Sequence, residues 1–503
     1  MRISVVVVLL AACGARSRAA ELPKADGDLC GDEPWIAWEP RLDEIDLLLL
    51  VDNSNEMREE QSAFVASLPE VVGALAIPAD DDRDGAPDWP AARSMHLGVI
   101  STDMGTSGYL ITGCDDAERG DDGILRNLPA PGMKGCDVTY PTFLTFDSTM
   151  GDLSGVASDF ACIATLGSGG CRLEQPLAAV EKALTIHAAS GAPNDGFLRE
   201  SAVLSILIAT EEEDCSVSDA RIFSADDSLG SLPLRCYFHQ EFLRPVDDLV
   251  TSILAVKLGH PNRIAVAAVV GIPPEFAALS DARVSADLMT VEDFQSILDD
   301  TRMAYTMDYS PEGGGNSIVP TCSVPGIGTA FPPRRIVEFV RDLDAEGSDG
   351  IVQSICRADW SGTVRAITRN IGRTMRAGCL AQPLTGPDGD PLATGEHADC
   401  VLVERLADDG SCQPSRIDRG LEEGRRVCQL CQQGDGEALF ETDFRGESVA
   451  ACPLPGPLWF YTTGDPDCGD RGKIEISTGD QFPPGSTLRL ECARSALPEP
   501  EDC

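Results

Sequence analysis

Short, uninterrupted apolar runs alternate along this chain with segments of helical periodicity, and this alternation constrains the fold more than any other feature. The first run, LLLLV at residues 47–51, ends in the polar sequence Asp52-Asn53-Ser54. Further strands are predicted at residues 95–101, 202–210 and 263–271, and helices at residues 57–75, 174–189, 246–258, 334–343 and 363–376. The pattern predicts an α/β fold: a three-layer, doubly wound, mostly parallel, Rossmann-like sheet with its ligand site at the carboxyl ends of the strands.

Two long segments interrupt this alternation, and the composition of the chain changes after it. Residues 103 to about 161 and residues 272–332 are rich in Gly, Pro, Asp and Cys, which predicts surface insertions stapled by disulfides. After residue 380, cysteines and short strand-like runs predict a small Cys-rich β domain. The α/β domain is therefore expected to span residues 45–380, and the β domain residues 381–503.

The N-terminus has the pattern of an export signal. Arg2 precedes an apolar run that continues to Leu10 and is interrupted by Ser4. Such a run is too short to span a bilayer, and it is typical of a signal peptide. Residues 1–12 are therefore expected to be removed on export.

The sequence LAAC at residues 10–13 resembles the lipobox of bacterial lipoproteins, in which small residues admit the peptidase before a cysteine that then carries the lipid. The resemblance implies that Cys13 is lipidated, that residues 13–44 form a tether, and that the membrane is bound through the lipid anchor. Gly14 stands where an aspartate is associated with inner-membrane retention, so the outer membrane of the cell envelope is expected. The alternative is an ordinary signal peptide cleaved after Ala20.

The chain contains 19 cysteines, a usage typical of an oxidising compartment. Assigning Cys13 to the lipid leaves an even number, which permits complete disulfide pairing. Neighbours in the sequence are the favoured pairs: Cys114 with Cys136, Cys162 with Cys171, and Cys215 with Cys236. Spacing does not fix the connectivity, so these six cysteines are candidates for disulfides and their pairing stays open.

Acidic residues greatly outnumber basic ones. The 39 Lys and Arg residues against 82 Asp and Glu residues give a formal net charge of −43. Such a surface repels phosphate backbones, which excludes nucleic acid as a partner. Solubility in a saline habitat and cation binding both account for the acidic excess, and the composition does not choose between them.

Polar segments after the predicted strands resemble the von Willebrand factor type A (vWA) family. The sequence DNSNE at residues 52–56 is similar to the D-x-S-x-S motif of that family. HLGVISTDMG at residues 96–105, GGCRLEQP at 169–176 and TEEEDC at 210–215 resemble vWA-domain lipoproteins of myxobacteria and their relatives. The resemblance covers roughly residues 45–380, and its specificity lies in the combined set, because D-x-S-x-S alone often occurs by chance.

The resemblance implies a metal-ion-dependent adhesion site at the head of the sheet. Its residues would be Asp52, Ser54, Glu56, Ser168 and Glu211. Glu56 stands in place of a serine of the family motif, Ser168 in place of a threonine, and Glu211 in place of an aspartate. The set is all oxygen, which suits Mg²⁺ or Ca²⁺ and not zinc or copper.

Glu56 leaves three interpretations of this site open. In the first, the metal binds an acidic group of a partner. In the second, the Glu56 carboxylate binds the ion directly, neutralises it and makes the metal structural. In the third, the site is degenerate and binds no metal. The first interpretation predicts an adhesive protein that binds a protein or glycan at the cell surface. The alternative function is a structural envelope protein that uses the vWA fold as a scaffold.

A second candidate cation site lies in an aspartate-rich loop. Asp80, Asp82, Asp84 and Asp88 occupy positions 1, 3, 5 and 9 of an EF-hand-like loop with glycine at position 6, but Ala91 occupies the twelfth position, where a glutamate is expected. A weak Ca²⁺ site and a solvated acidic turn are both compatible with this pattern.

Motifs of common enzyme classes are missing from the sequence. It has no G-x-S-x-G, H-E-x-x-H or G-x-x-x-x-G-K-[ST] motif, and its five histidines are scattered. The chain is therefore expected not to be an enzyme, with a hydrolase hidden in residues 381–503 as a third hypothesis.

Overall fold

The computed structural model describes most of the chain from residue 35 onward. The described residues are 35–38, 43–80, 87–149, 151–199, 202–257, 261–276, 289–310, 313–376, 380, 383–386, 390–406, 409–414, 416–422, 424–433, 458–463, 472–476 and 486–492. Cys13 and the predicted signal peptide lie outside the described residues.

The described residues form strands and helices in the following order. The strands are β1 (Trp35–Trp38), β2 (Glu44–Val51), β3 (Ser94–Ser101), β4 (Leu144–Asp147), β5 (Val203–Ala209), β6 (Ile264–Val270), β7 (Cys322–Val324), β8 (Gly328–Ala330), β9 (Asp349–Ser354), β10 (Cys400–Arg405), β11 (Ile417–Glu422), β12 (Arg425–Gln432), β13 (Leu458–Thr462), β14 (Lys473–Ile476) and β15 (Thr487–Cys492). The α-helices are α1 (Arg58–Ala76), α2 (Leu153–Ala164), α3 (Pro176–Leu184), α4 (Arg235–Phe238), α5 (Val246–Val256), α6 (Val291–Leu298), α7 (Arg334–Ala345) and α8 (Ser361–Arg376).

A six-stranded sheet forms the centre of the first domain. Its strand order is β4-β3-β2-β5-β6-β9, with β4 antiparallel to β3 and the other neighbours parallel. The chain adds strands outward from β2 on one side and then from β5 on the other, so the direction of winding reverses between β2 and β5. Every residue of β2, β5 and β6 is buried, because both faces of the sheet are covered. The expected mixed α/β fold with a mostly parallel sheet is confirmed.

The helices pack in two groups. The first group is α1, α2 and α8, and the second is α3, α5, α6 and α7. The helix predicted at residues 57–75 is α1, which continues through Pro69. Its inward positions, among them Phe64 and Leu68, are completely buried. The apolar spacing therefore determines this helix despite the proline.

The prediction that residues 103 to about 161 form a surface insertion is partly wrong. Its second half contains β4, which forms the antiparallel edge of the sheet, and α2, which packs against α1. Phe160 and Ile163 of α2 are fully buried in the main core. Residues 144–164 are therefore part of the domain core, and Leu125 and Tyr140 of the preceding loop also pack into it. β9, the strand at the other edge, was not predicted from the sequence.

All six candidate cysteines form disulfides, but four of them have other partners than the favoured ones. The bonds are Cys114–Cys171, Cys136–Cys162 and Cys215–Cys236. The expected pair Cys215–Cys236 is confirmed. The expected pairs Cys114–Cys136 and Cys162–Cys171 are wrong, because α2 packs on the core and holds Cys162 beside Cys136. Cys171 then lies against the more distant Cys114.

A second sheet contains the strands that follow residue 380. Its order is β1-β15-β10-β12-β13-β14, and β11 pairs with β12. Cys400 and Cys492 join β10 to β15, and Trp459 and Tyr461 are buried in the core of this sheet. β1 pairs antiparallel with β15, so that Trp35 lies opposite Cys492. The segment predicted as a tether therefore contains a strand of the C-terminal sheet.

Candidate functional site

Polar side chains converge where the carboxyl ends of β2, β3 and β5 meet. These strands are parallel neighbours, and Asp52 follows β2, Thr102 follows β3, and Thr210 and Glu211 follow β5. Ser54 lies in the turn that leads into α1. All five residues are between 0% and 1% exposed. The structure thus places them at the point where the winding of the sheet reverses.

Hydrogen bonds connect these side chains across the three strands. Thr210 Oγ1 donates to Asp52 Oδ2 at 2.7 Å, and Ser54 Oγ donates to Glu211 Oε1 at 3.2 Å. The backbone N–H of Ser54 donates to Asp52 Oδ1 at 2.7 Å, and Thr102 Oγ1 lies 3.5 Å from the same oxygen. Thr102 and Thr210 were not predicted as site residues, although both stand close after an apolar run, as Asp52 does.

Two oxygens of this site lack a donor. Among the described residues, Glu211 Oε2 and Asn53 Oδ1 are buried and accept no hydrogen bond. A buried polar atom without a partner costs about 1–3 kcal/mol. A bound cation would satisfy the carboxylate oxygen, so the residues present fit a hard, oxygen-seeking ion.

Glu56 does not join this group. Its carboxylate forms an ion pair with Arg172 at 2.7 Å, and the two side chains are 35% and 56% exposed. Asp52, Ser54 and Glu211 are therefore the predicted site residues that hydrogen bonds link together, while Glu56 is paired at the surface.

Ser168 lies in an exposed loop beside the turn between β2 and α1. Gly170 N donates to Asn53 O at 2.9 Å, and Gly167 N donates to the side chain of Gln61 at 3.0 Å. These bonds hold the loop against the site. The Ser168 hydroxyl itself makes no hydrogen bond within the described part of the chain, and it is exposed.

Burial strongly perturbs the acids around the site. It raises the pKa of Asp52, and it raises the pKa of Glu174 and of Glu211 well above the usual range, with the charge of Asp52 as a further cause. It also raises the pKa of Glu212 to about 7 and that of Glu213 to about 8. Without a cation, burial favours the neutral, protonated form of these carboxyl groups. A metal ion that binds them must displace those protons.

A third set of potential ligands lies nearby. One ligand atom each of Asp103, Cys114 and Cys171 lies within 4.8 Å of the others. Because the two sulfurs form a disulfide, neither is available as a thiolate, the form that binds metals. The oxidised protein therefore offers one carboxylate at this position.

The predicted calcium loop is described at its two ends. Asp88 N donates to Ala79 O at 2.8 Å, which brings Asp88 next to the segment that holds Asp80. Asp82 and Asp84 lie outside the described residues. The calcium site stays a prediction.

Comparison of the chain with protein-family models and with curated proteins finds no match in either set. Within the described ranges, no helix has the length and apolar character needed to cross a membrane. The function is therefore inferred from the geometry of the site.

Proposed function

We propose that this protein is an exported, lipid-anchored protein of the cell envelope that binds a protein or glycan partner through a vWA-like domain, with Mg²⁺ or Ca²⁺ at the head of the sheet. Counted along the chain within the central sheet, the strand order is 3-2-1-4-5-6. Doubly wound folds with this order bind ligands where the order reverses. Asp52 and Glu211 stand at that point, which supports a vWA-like assignment.

The observation that carries the proposal is the buried Glu211 Oε2, which accepts no hydrogen bond from the described residues, in a carboxyl group that lies against the carboxyl of Asp52. It lies in a site whose other groups are oxygens of Asp52, Ser54, Thr102 and Thr210. Such a set offers hard ligands. Asp52, Ser54 and Glu211 would hold the ion. The ion would supply the positive charge that attracts a carboxylate of a partner protein or hydroxyl groups of a glycan.

One observation favours the alternative, a structural envelope protein with an inactive site. The hydroxyls of Thr210 and Ser54 already donate to Asp52 and Glu211, which closes part of the site without a metal. In that case the vWA-like domain is a scaffold, and contacts with other envelope components lie in the surface loops.

Direct metal binding separates the two functions. Mn²⁺ binding to the purified chain is measured by electron paramagnetic resonance, with competition by Mg²⁺ and Ca²⁺. We expect saturable binding that Ser54→Ala weakens by about tenfold, or about 1.4 kcal/mol. Ser158→Ala is the matched control, because Ser158 is an exposed serine of α2. Binding that Ser54→Ala leaves unchanged contradicts the proposed site.

The role of the metal in recognition requires a second measurement. Capture of isolated envelope proteins and glycans by the immobilised protein is measured in buffer with Mg²⁺ and again in buffer with a chelator. We expect chelation and Ser54→Ala to abolish capture of the same partner. Capture that survives both treatments favours the scaffold function.

A further inference from the structure

A small cavity lies beside the metal site. Its volume is about 90 Å³, and Glu174, Glu212 and Glu213 are among the residues that line it. A water molecule takes up about 30 Å³ in the liquid, so the cavity has room for about three. An ammonium group with the first methylenes of its stem is of comparable size.

Two of these carboxylates have unused acceptor capacity. Glu174 lines the cavity and is 4% exposed, and within the described residues no other residue donates a hydrogen bond to its carboxylate. Glu212 accepts one hydrogen bond, from Tyr237 Oη at 2.6 Å. Glu213, in contrast, is satisfied by Tyr305 and by the backbone N–H groups of Asp214 and Arg335. The carboxylate of Glu174 accepts a hydrogen bond from its own backbone N–H and keeps capacity for a further donor.

Apolar groups also line the cavity, namely Leu173, Leu232, Pro233 and the disulfide between Cys215 and Cys236. A metal ion requires oxygen or water around it, which these groups do not supply. An alkylammonium group fits this mixed lining, because its nitrogen donates three hydrogen bonds and its methylene stem packs on apolar surface.

The exposed part of the lining is the mouth of the cavity. Glu56 and Arg172 line the cavity as an ion pair and are 35% and 56% exposed. A cation that enters from this side therefore competes with the guanidinium of Arg172 for the acids of the cavity.

We propose that this cavity binds a primary alkylammonium group, supplied either by a lysine side chain of the partner or by a free amine. The site is formed by the carboxylates of Glu174 and Glu212 and the apolar side chains of Leu173 and Leu232. The inference deepens the proposed function, since it names the chemistry of the partner at the head of the sheet, but it does not require a bound metal.

Titration calorimetry measures binding to the purified chain in buffer that contains a chelator. The probe is butylammonium, and 1-butanol is its neutral counterpart. We expect butylammonium to bind saturably and 1-butanol not to bind. Glu174→Gln keeps the shape and removes the carboxylate that would pair with the ammonium, and we expect it to weaken binding by about tenfold. Glu346→Gln is the control for the loss of one charge, because Glu346 is exposed at the end of α7.

A blocked Gly-Gly-Lys-Gly-Gly peptide and its Nε-acetylated form identify the source of the group. Binding of the unmodified peptide alone indicates a lysine of a partner protein, and binding of butylammonium without the peptide indicates a free amine. Arg172→Ala removes the competing cation at the mouth, so we expect severalfold tighter binding of butylammonium.

Equal binding of 1-butanol overturns the proposal, as does unchanged affinity in Glu174→Gln. If that variant does not fold, a lack of tighter binding in Arg172→Ala has the same consequence. Because divalent ions are removed, a negative result here leaves the Mn²⁺ measurement on wild type and Ser54→Ala as an independent test of the proposed function.

Discussion

Asp46 and Asp52 stand near opposite ends of β2, and both are completely buried, yet their surroundings differ. Asp46 forms an ion pair with Arg199 at 2.7 Å, and the Lys257 ammonium lies 3.8 Å away. Asp52 is surrounded by hydroxyls and other acids, and Thr210 is its closest side-chain donor. A buried charge needs compensation. At the amino end of β2, Arg199 and Lys257 compensate the charge of Asp46. At the carboxyl end, a bound cation would compensate the charge of Asp52.

Acidification is expected to weaken the amino end of the sheet through His96. Burial lowers the pKa of this imidazole, and its Nδ1 lies 2.8 Å from the carbonyl oxygen of Phe197. Because the folded pKa lies below the unfolded value of about 6.5, the unfolded chain binds more protons, and stability falls as the pH drops through that value. Urea denaturation at pH values above and below it should show a smaller loss in His96→Gln than in wild type. An equal loss contradicts this origin.

Gly98 of β3 is expected to tolerate no larger side chain. A Cβ atom at this position would lie 2.6 Å from Leu125 Cδ2 and 2.8 Å from the ring of Phe197. Overpacking of this kind costs about 1–3 kcal/mol, so Gly98→Ala should lower the free energy of unfolding by that amount. Gly73→Ala in α1 is the control, because nothing lies within 4 Å of its added Cβ, and it should stabilise the protein slightly. Similar effects of both substitutions would contradict the packing argument.

At the element scale, edge strand β9 depends on a polar anchor. Arg373 of α8 donates to both carboxylate oxygens of Asp349, from Nε at 2.8 Å and from Nη2 at 2.7 Å. Asn370 Nδ2 donates to the same carboxylate at 2.7 Å. The pair is bidentate and almost buried, so it fixes α8 against the start of the strand.

Breaking this anchor is expected to be costly. Arg373→Leu leaves the carboxylate of Asp349 buried without its counterion, which typically costs about 3–5 kcal/mol. Arg365→Leu is the matched control on the exposed side of α8, and it should change the free energy of unfolding little. Thermal and urea denaturation of both variants give the comparison. A loss below that of the control would show that the ion pair contributes little.

The elements that the sequence predicted are those with apolar runs or regular helical spacing. β2, β5 and β6 are apolar over nearly their full length, and this pattern follows from burial on both faces. β9 was missed because Asp349 and Gln353 interrupt its apolar residues, and only the tertiary partner on α8 explains the buried aspartate. Asp52, Ser54 and Glu211 were predicted from strand-end position and resemblance. The partners of Cys114 and Cys136 depend on where α2 packs, which spacing does not encode.

At the scale of the whole molecule, the first and the last of the described strands pair with each other. β1 precedes the first domain and pairs with β15, which belongs to the C-terminal sheet and is joined to β10 by the disulfide Cys400–Cys492. The C-terminal sheet therefore includes a strand from the start of the chain.

The net charge of −43 makes the stability of the whole molecule sensitive to ions in two separable ways. Self-repulsion among surface acids is screened by any salt, so the melting temperature should rise with NaCl in wild type and in Ser54→Ala alike. A specific ion stabilises only the folded state that binds it, by an amount that grows with the logarithm of its concentration. At equal ionic strength, MgCl₂ should therefore raise the melting temperature more than NaCl in wild type, and this excess should disappear in Ser54→Ala. An excess that persists in the variant would assign the effect to diffuse screening by divalent ions and not to the site of Asp52 and Glu211.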